Sequence, residues 1–388
     1  MLTGYETSIA ALRRRGFLLA SDPLDRLPPA FVRWEKLAHE MPKLIAAGRF
    51  RSAVEGLPLL DATLLEDDAQ CQRAMLLLSY FGHGYVWGEG NPADRIPTPV
   101  AVPWYHVAQR LGRPPVLSYA SYALHNWRRL DPAGPIALGN IALLQNFLGG
   151  MDEEWFILVH VDIEARAGPA LAAIVEGQEA VSRDRPAELE RALAAIASAL
   201  VAMYATLLRM PERCDPYIYY NRVRPYIHGW KDNPALPEGV VYEGVEAYGG
   251  VPQRLRGETG AQSAIVPSLD AALGVAHRDD PLRPYLVEMR EYMPPEHRGF
   301  IEAVEKGPSM RDYVIEHRER HPSVRDLYNR CVQQLALFRS KHLEYAALYI
   351  QQQSRGDPYN PADVGTGGTP FMPYLKKHRD ETDAHLIP

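Results

Sequence analysis

The chain has 388 residues with a net charge of −6, 46% hydrophobic and 23% charged residues. That is an ordinary globular composition, with length for two domains or one large core with a subsidiary unit. The basic residues are scattered, which argues against a nucleic-acid partner, and uninterrupted apolar runs such as WFILV are far short of a bilayer span.

Turn signals SDPLDRLPP, GEGNPADRIPTP, GRPP and DPAGP punctuate the first ~150 residues. Helical patterns such as FVRWEKLAHEMPKLIAAG and AQCQRAMLLLSYFGHGYVW lie between them. No basic n-region followed by an apolar h-region opens the sequence, so no secretory signal is expected. A break at Leu148-Gly149-Gly150 precedes long helical patterns at 153–181, 187–209, 262–275, 295–306 and 322–353. WFILVHVDI resembles a buried strand, but its apolar pattern continues to Val175, a length that favours helix. The Gly- and Pro-rich stretch 231–261 reads as a long loop, a kind of segment that is often functional. The expected architecture is mainly α: a smaller, mostly helical N-terminal domain with minor β (1–149) and a large all-helical domain (150–388). Cys71, Cys214 and Cys331 are odd in number and widely spaced, which excludes a disulfide framework, a CxxC metal site and a CxxCH haem attachment and points to the cytoplasm.

Leu335, Phe338, His342, Tyr345 and Tyr349 recur at steps of three and four, one stripe of a helix. A histidine on such a face is most simply a satisfied core residue. Arg339 lies one turn behind it, however, and a buried arginine needs an anion. The helix has no second ligand at i±4 for a zinc cluster. One imidazole plus one arginine suits a noncovalent haem, as axial ligand and propionate partner.

Four other stretches carry both a plain and a functional reading. In WFILVHVDIEA, His160 has Phe156 at i−4 and Glu164 at i+4; it is a core histidine or a pocket group whose tautomer Glu164 fixes. In YNRVRPYIHGWKDN, Pro225 biases Arg224 away from helical geometry, so that its side chain either lies in solvent or turns into a cleft towards a substrate carboxylate. GETGAQSAIVPSLDAALG opens a helix with free backbone N–H groups, either a plain N-cap or an anion cradle. GTGGT at 365–369 is neither a phosphate loop nor a dinucleotide fingerprint; it is a flexible loop or a lid whose Thr366 or Thr369 closes over an anion.

The segments GYVWGEG (84–90), VPWYHVAQRLGRPPVLSYA (102–120), NWRRLDP (126–132), GWKDNP…VVYEGV (229–245), GAQSAIVPSLDAALG (260–274), YMPPEHRGFIEAVE (292–305), FRSKHL (338–343) and GTGGT (365–369) occur in one order over nearly the whole chain. Together they resemble the indoleamine 2,3-dioxygenase family. The resemblance implies a small mixed domain over a large helical domain that holds haem b noncovalently, active as Fe(II). It implies insertion of both atoms of O2 across the indole C2=C3 bond of L-tryptophan, giving N-formylkynurenine.

By resemblance His342 is the iron ligand, Arg339 pairs with a propionate with Asp270 nearby, and Thr259, Gly260 and Tyr349 belong to the cofactor site. Arg224 matches the binder of the substrate carboxylate, Phe156 and Tyr219 the aromatics around the indole, and Tyr119 and Tyr122 deeper positions. Gly260 and Thr366 complete the substrate contacts, with Thr366 on a mobile lid. His160 is the distal group acting on the substrate: the animal indoleamine enzymes carry serine there, while the related tryptophan 2,3-dioxygenases keep a histidine. Tyr219 stands where phenylalanine is usual, and Pro225 follows the key arginine. A reductant of unknown kind, no membrane partner, and a monomer or small homo-oligomer complete the expectation. Its rivals are a haem oxygenase of secondary metabolism acting on a modified indole and a non-catalytic O2-binding haem protein.

Overall fold

The computed structural model describes residues 8–276, 282–353, 360, 365–368 and 371–388. Thr369, one of the two lid hydroxyls, lies outside the described residues. The fold is mainly helical: Val32–Ala46, Asp68–Trp87 and Thr98–Arg110 come first, then Met151–Ser182, Pro186–Leu207, Ile265–Leu273, Pro295–Lys306 and Pro322–Tyr349. Strands among the described residues are two or three residues long. Arg95–Ile96 pairs in parallel with Val241–Tyr242, and Trp127–Arg129 pairs antiparallel with Ile141–Leu143.

WFILVHVDI is helix, within Met151–Ser182, and the packing explains its all-round apolar character. Ile157, Leu158 and Val161 face one hydrophobic core, built largely from residues 18–147 with Trp230 and Tyr242. Trp155, Val159 and Ile163 face a second core with Leu193, Leu200, Phe300, Tyr328 and Leu335. A helix buried on both sides has no polar face to reveal its period. Phe156 and Leu138 touch both cores, so the segment that carries Phe156 and His160 lies where the two meet. Leu12 and Phe17, from the start of the chain, lodge in the second core.

Helix Pro186–Leu207 packs against both Met151–Ser182 and Pro322–Tyr349. The stretch Pro186–Glu212 is long and apolar enough to cross a bilayer, and half of its apolar window is buried here. Its apolar run is broken only by Ser198 and Thr206 between Arg191 and Arg209. All three cysteines are free and buried.

The Gly- and Pro-rich loop is tied down from within. Trp230 N and Lys231 N both donate to Leu255 O at 2.9 Å, and Glu258 N donates to Ile227 O at 3.1 Å. Here Gly229 and Gly257 bring two backbones into contact: a Cβ on Gly257 would stand 2.2 Å from Gly229 N and 2.3 Å from Ile227 O. Backbone cannot yield as a side-chain tip can. Gly257→Ala should cost about 3 kcal/mol, the upper end for overpacking, seen as a lower urea midpoint; an unchanged midpoint would show the two strands to be loosely apposed.

Candidate functional site

His342 projects from Pro322–Tyr349 between the buried Leu335 and Tyr349. It is accessible, yet loss of hydration pushes its imidazole down to about 4, with the charges of His160 and Arg339 adding to the effect. The ring is thus left uncovered by its neighbours while protein groups around it replace much of its hydration. No hydrogen-bonding group among the described residues meets either ring nitrogen. The imidazole is therefore neutral at pH 7 with a lone pair to give.

Arg339 is 8% exposed. Its Nη2 donates to Asp270 Oδ2 at 2.6 Å and its Nη1 to the Thr382 hydroxyl. The anion that burial of this arginine requires is thus supplied by the protein itself. A ligand carboxylate would share the guanidinium with Asp270.

His160 reaches His342 electrostatically from the helix Met151–Ser182. Its Nδ1 lies 2.7 Å from the carbonyl oxygen of Phe156, so Nδ1 carries the proton and Nε2 keeps a lone pair. The expectation that Glu164 sets this tautomer is not met. Glu164 Oε1 instead accepts from the Tyr119 hydroxyl at 2.9 Å and the Ser263 hydroxyl at 2.8 Å, and burial pushes the carboxyl up to about 7. An i+4 acid can reach the ring, but the carbonyl one turn back is already in place.

The aromatic residues form one contiguous wall. Phe156 lies 4.6 Å from Tyr219, 4.7 Å from His160 and 6.3 Å from Tyr122, centroid to centroid, and Tyr119 lies 6.0 Å from His160. Tyr349 closes one end, 5.8 Å from Tyr219, with its hydroxyl donating to Cys214 O at 2.7 Å. Tyr122 and Tyr219 both sit on π-helical turns, Ala120–Leu124 and Tyr219–Val223. Such turns re-aim side chains, and they cluster at functional sites.

Arg224 is fully buried and follows the second π turn. The expectation that Pro225 drives it from helical geometry fails: its φ and ψ are −56° and −38°. Arg224 itself opens the next 3₁₀ turn, Arg224–Ile227, with Pro225 in second place, so the joint between two tight turns directs the side chain inward. The guanidinium lies over Tyr220 and donates to the side-chain carbonyl of Asn360, which also lies 3.0 Å from His228 Nε2. A neutral amide oxygen thus stands where a substrate carboxylate oxygen is expected.

Residues 365–368 dock over the loop ahead of Ile265–Leu273. Thr366 donates to Glu258 O through its hydroxyl and accepts from Gly229 N at 3.2 Å through its carbonyl, and Arg256 Nη1 donates to Gly367 O at 2.7 Å. A Cβ on Gly367 would come within 3.2 Å of Thr259. Thr259 caps the turn Gly260–Gln262, and a Cβ on Gly260 would meet nothing within 4 Å, so open space adjoins it. Two groups here escaped the sequence reading, Arg256 and Glu258; the signal was an arginine and an acid inside a glycine-rich turn.

The buried titratable groups give the haem-free fold a two-sided pH dependence. His83, His228 and His297 are pushed down to about 3 by burial, so the fold keeps them neutral while the unfolded chain takes protons below 6.5. Their contribution is complete above that value and is lost as pH falls. Glu153 and Glu164 are pushed up to about 7 and Glu258 to about 8, against 4.5 unfolded. Theirs is complete below 4.5 and is lost as pH rises through 7 to 8. Between pH 4.5 and 6.5 the three histidines and three acids act in opposite senses and cancel, so the urea midpoint should be level there and fall on either side. A midpoint rising steadily from pH 5 to 8 would contradict these assignments.

A family model for indoleamine 2,3-dioxygenase matches residues 8–385. The chain belongs to the indoleamine 2,3-dioxygenase family. It is 37% identical to indoleamine 2,3-dioxygenase 1 of Rattus norvegicus over 385 residues, covering 96% of this chain and 93% of that one. It is 36% identical to indoleamine 2,3-dioxygenase 2 of Homo sapiens (95% and 92% covered) and 32% to indoleamine 2,3-dioxygenase of Saccharomyces cerevisiae (95% and 91%).

Members of the indoleamine 2,3-dioxygenase family are haem-dependent oxidoreductases that use O2 and indole substrates, and this chain is an enzyme of that kind. That decides against the non-catalytic O2 binder. The residues present suit the cofactor: an accessible, unpartnered and neutral imidazole, and open space at Gly260.

Proposed function

We propose that this indoleamine 2,3-dioxygenase converts L-tryptophan and O2 to N-formylkynurenine, using a noncovalent haem b in its Fe(II) state. The observation that carries the proposal is the accessible, dehydrated and unpartnered imidazole of His342, with His160 and an aromatic wall within reach. His342 would hold the iron, and Arg339 with Asp270, Thr259, Gly260 and Tyr349 would border the porphyrin. Bound there, the haem supplies the activation of O2.

The task of the chain's own residues is placement. Arg224 exchanges the Asn360 amide oxygen for the substrate carboxylate, gaining a charge-assisted and bidentate pair. Phe156 and Tyr219, in contact with each other, give the indole one aromatic wall, with Tyr119 and Tyr122 behind, and His160 Nε2 accepts the indole N–H. Thr366 and Gly260 cover the head group, and the docked segment 365–368 excludes water. Holding reactants in near-attack geometry is worth ~7–11 kcal/mol of barrier, and no strong base is required. Residues 1–149 would form the unit covering the distal face, and 150–388 the unit holding the haem.

The absence of a CxxCH motif favours noncovalent attachment, and the scattered basic charge favours a protein without a nucleic-acid partner. A cytoplasmic, membrane-free monomer or small homo-oligomer served by a separate reductant completes the proposal. The test is anaerobic reduction of the haem-loaded protein, then admission of O2 with L-tryptophan. N-formylkynurenine absorbance should grow with turnover; consumption of O2 without that product would overturn the assignment. A modified indole is the second reading, favoured by two polar groups inside the aromatic wall.

A further inference from the structure

Placing the substrate in this way leaves one buried histidine without a task. His228 is 3% exposed and follows Arg224 in the stretch YNRVRPYIHGW. Its carbonyl accepts from Trp87 Nε1 at 2.9 Å, and its ring stands edge-on to Trp87, 6.5 Å between centroids. The residues on either side are tied as well: Ile227 O accepts from Glu258 N at 3.1 Å, and Gly229 N donates to Thr366 O at 3.2 Å. The imidazole is thus carried on a main chain held by both the glycine-rich loop and segment 365–368, a preorganised support.

Nε2 of this ring and the guanidinium of Arg224 meet on one atom, Oδ1 of the buried Asn360. The partners fix the identity of that atom. A guanidinium can only donate, and the other end of the amide donates to Tyr220 O at 2.6 Å, so it is oxygen that faces Arg224. An amide oxygen can only accept, so Nε2 carries the ring proton and donates to it at 3.0 Å. Burial, with the charge of Arg224 adding to it, keeps the ring neutral at pH 7. A second cation here would repel the guanidinium, whereas a neutral imidazole adds a donor without adding charge. One carboxylate then matches the single positive charge of the pair. Both hydrogen bonds also strengthen when a carboxylate oxygen replaces the amide oxygen.

We propose that His228 is the second donor of the carboxylate subsite, and that its Nε2–H and Arg224 together select indole acids over indole amines. Arg224 supplies the charge; His228, held by the elements that close the site, sets where the oxygen lies. This rests on the dioxygenase reading above and adds to it the residue that sharpens the choice of substrate class.

The test compares the haem-loaded wild type with His228→Phe, which removes both ring nitrogens, and His228→Gln, which returns a donor near the position of Nε2. Arg224→Ala and Asn360→Ala complete the set. Each protein is given L-tryptophan, indole-3-propionate, which lacks the amine, and tryptamine, which lacks the carboxylate. Kd is read by calorimetry without O2, and kcat and KM in air. His228→Phe should weaken both acids about tenfold and tryptamine less than about twofold, with the loss on KM more than on kcat. His228→Gln should recover most of that loss. Asn360→Ala, which removes the competing amide, should tighten both acids about threefold or more. An equal loss for tryptamine in His228→Phe, or no loss for the acids, overturns the second donor. So does Asn360→Ala that leaves the acids unchanged or weaker, which would make the imidazole a support for Asn360; this arm decides even if His228→Phe does not fold. Selective loss of the acids in Arg224→Ala alone keeps the role of the arginine and overturns that of the imidazole. If the wild type consumes none of these indoles, the dioxygenase reading fails, while the anaerobic Kd values still decide the subsite.

Discussion

His342→Ala protein should purify with about a tenth or less of the haem that the wild type retains, while its helical circular dichroism is preserved. The argument starts from the ring's surroundings. His342 has no protein hydrogen bond to lose, and its neighbours do not enclose it, so truncation leaves the packing of the second core intact. What disappears is an accessible neutral imidazole that no protein group engages. Among the described residues no group of three or more metal-ligating side chains offers another seat for iron. Full haem retention with an unaltered spectrum would remove His342 from the site.

Arg224→Ala should raise KM for the indole substrate about 100-fold, with the Soret band unchanged. Hydrogen bonds to charged groups are worth about 1.5–3 kcal/mol each, and truncating one partner of a buried charge pair costs about 2–5 kcal/mol. Because the arginine grips the end of the substrate remote from the reacting ring, the loss should fall on KM more than on kcat. Arg224→Lys should recover part of the loss, since it keeps the charge without the fork. An unchanged KM in Arg224→Ala would mean that Asn360, its partner in this structure, is its permanent one.

The long helices were legible because amphipathic or unbroken apolar periods persist over many turns, as in Pro322–Tyr349. Thr98–Arg110 was not, because Pro99 and Pro103 read as loop; one fits the first turn and the other bends an otherwise apolar helix. The π turns under Tyr122 and Tyr219 were equally invisible, since a single inserted residue leaves no periodic trace. At the site, the stripe through His342 and the pairing of Phe156 with His160 could be read from spacing. The partners could not: Asp270 answers Arg339 across 69 positions, and Glu164 serves Tyr119 across 45. Sequence distance hides such pairs, and local alternatives such as Glu164 beside His160 look better on paper than a carbonyl that every helix already has.

The most direct measurement is haem binding by His342→Gly protein with and without added imidazole. If this ring is the iron's only protein ligand and a porphyrin-sized hollow adjoins it, free imidazole will enter the gap and restore binding of one haem per chain. Equal binding without imidazole, or no recovery with it while the wild type binds fully, would contradict that claim.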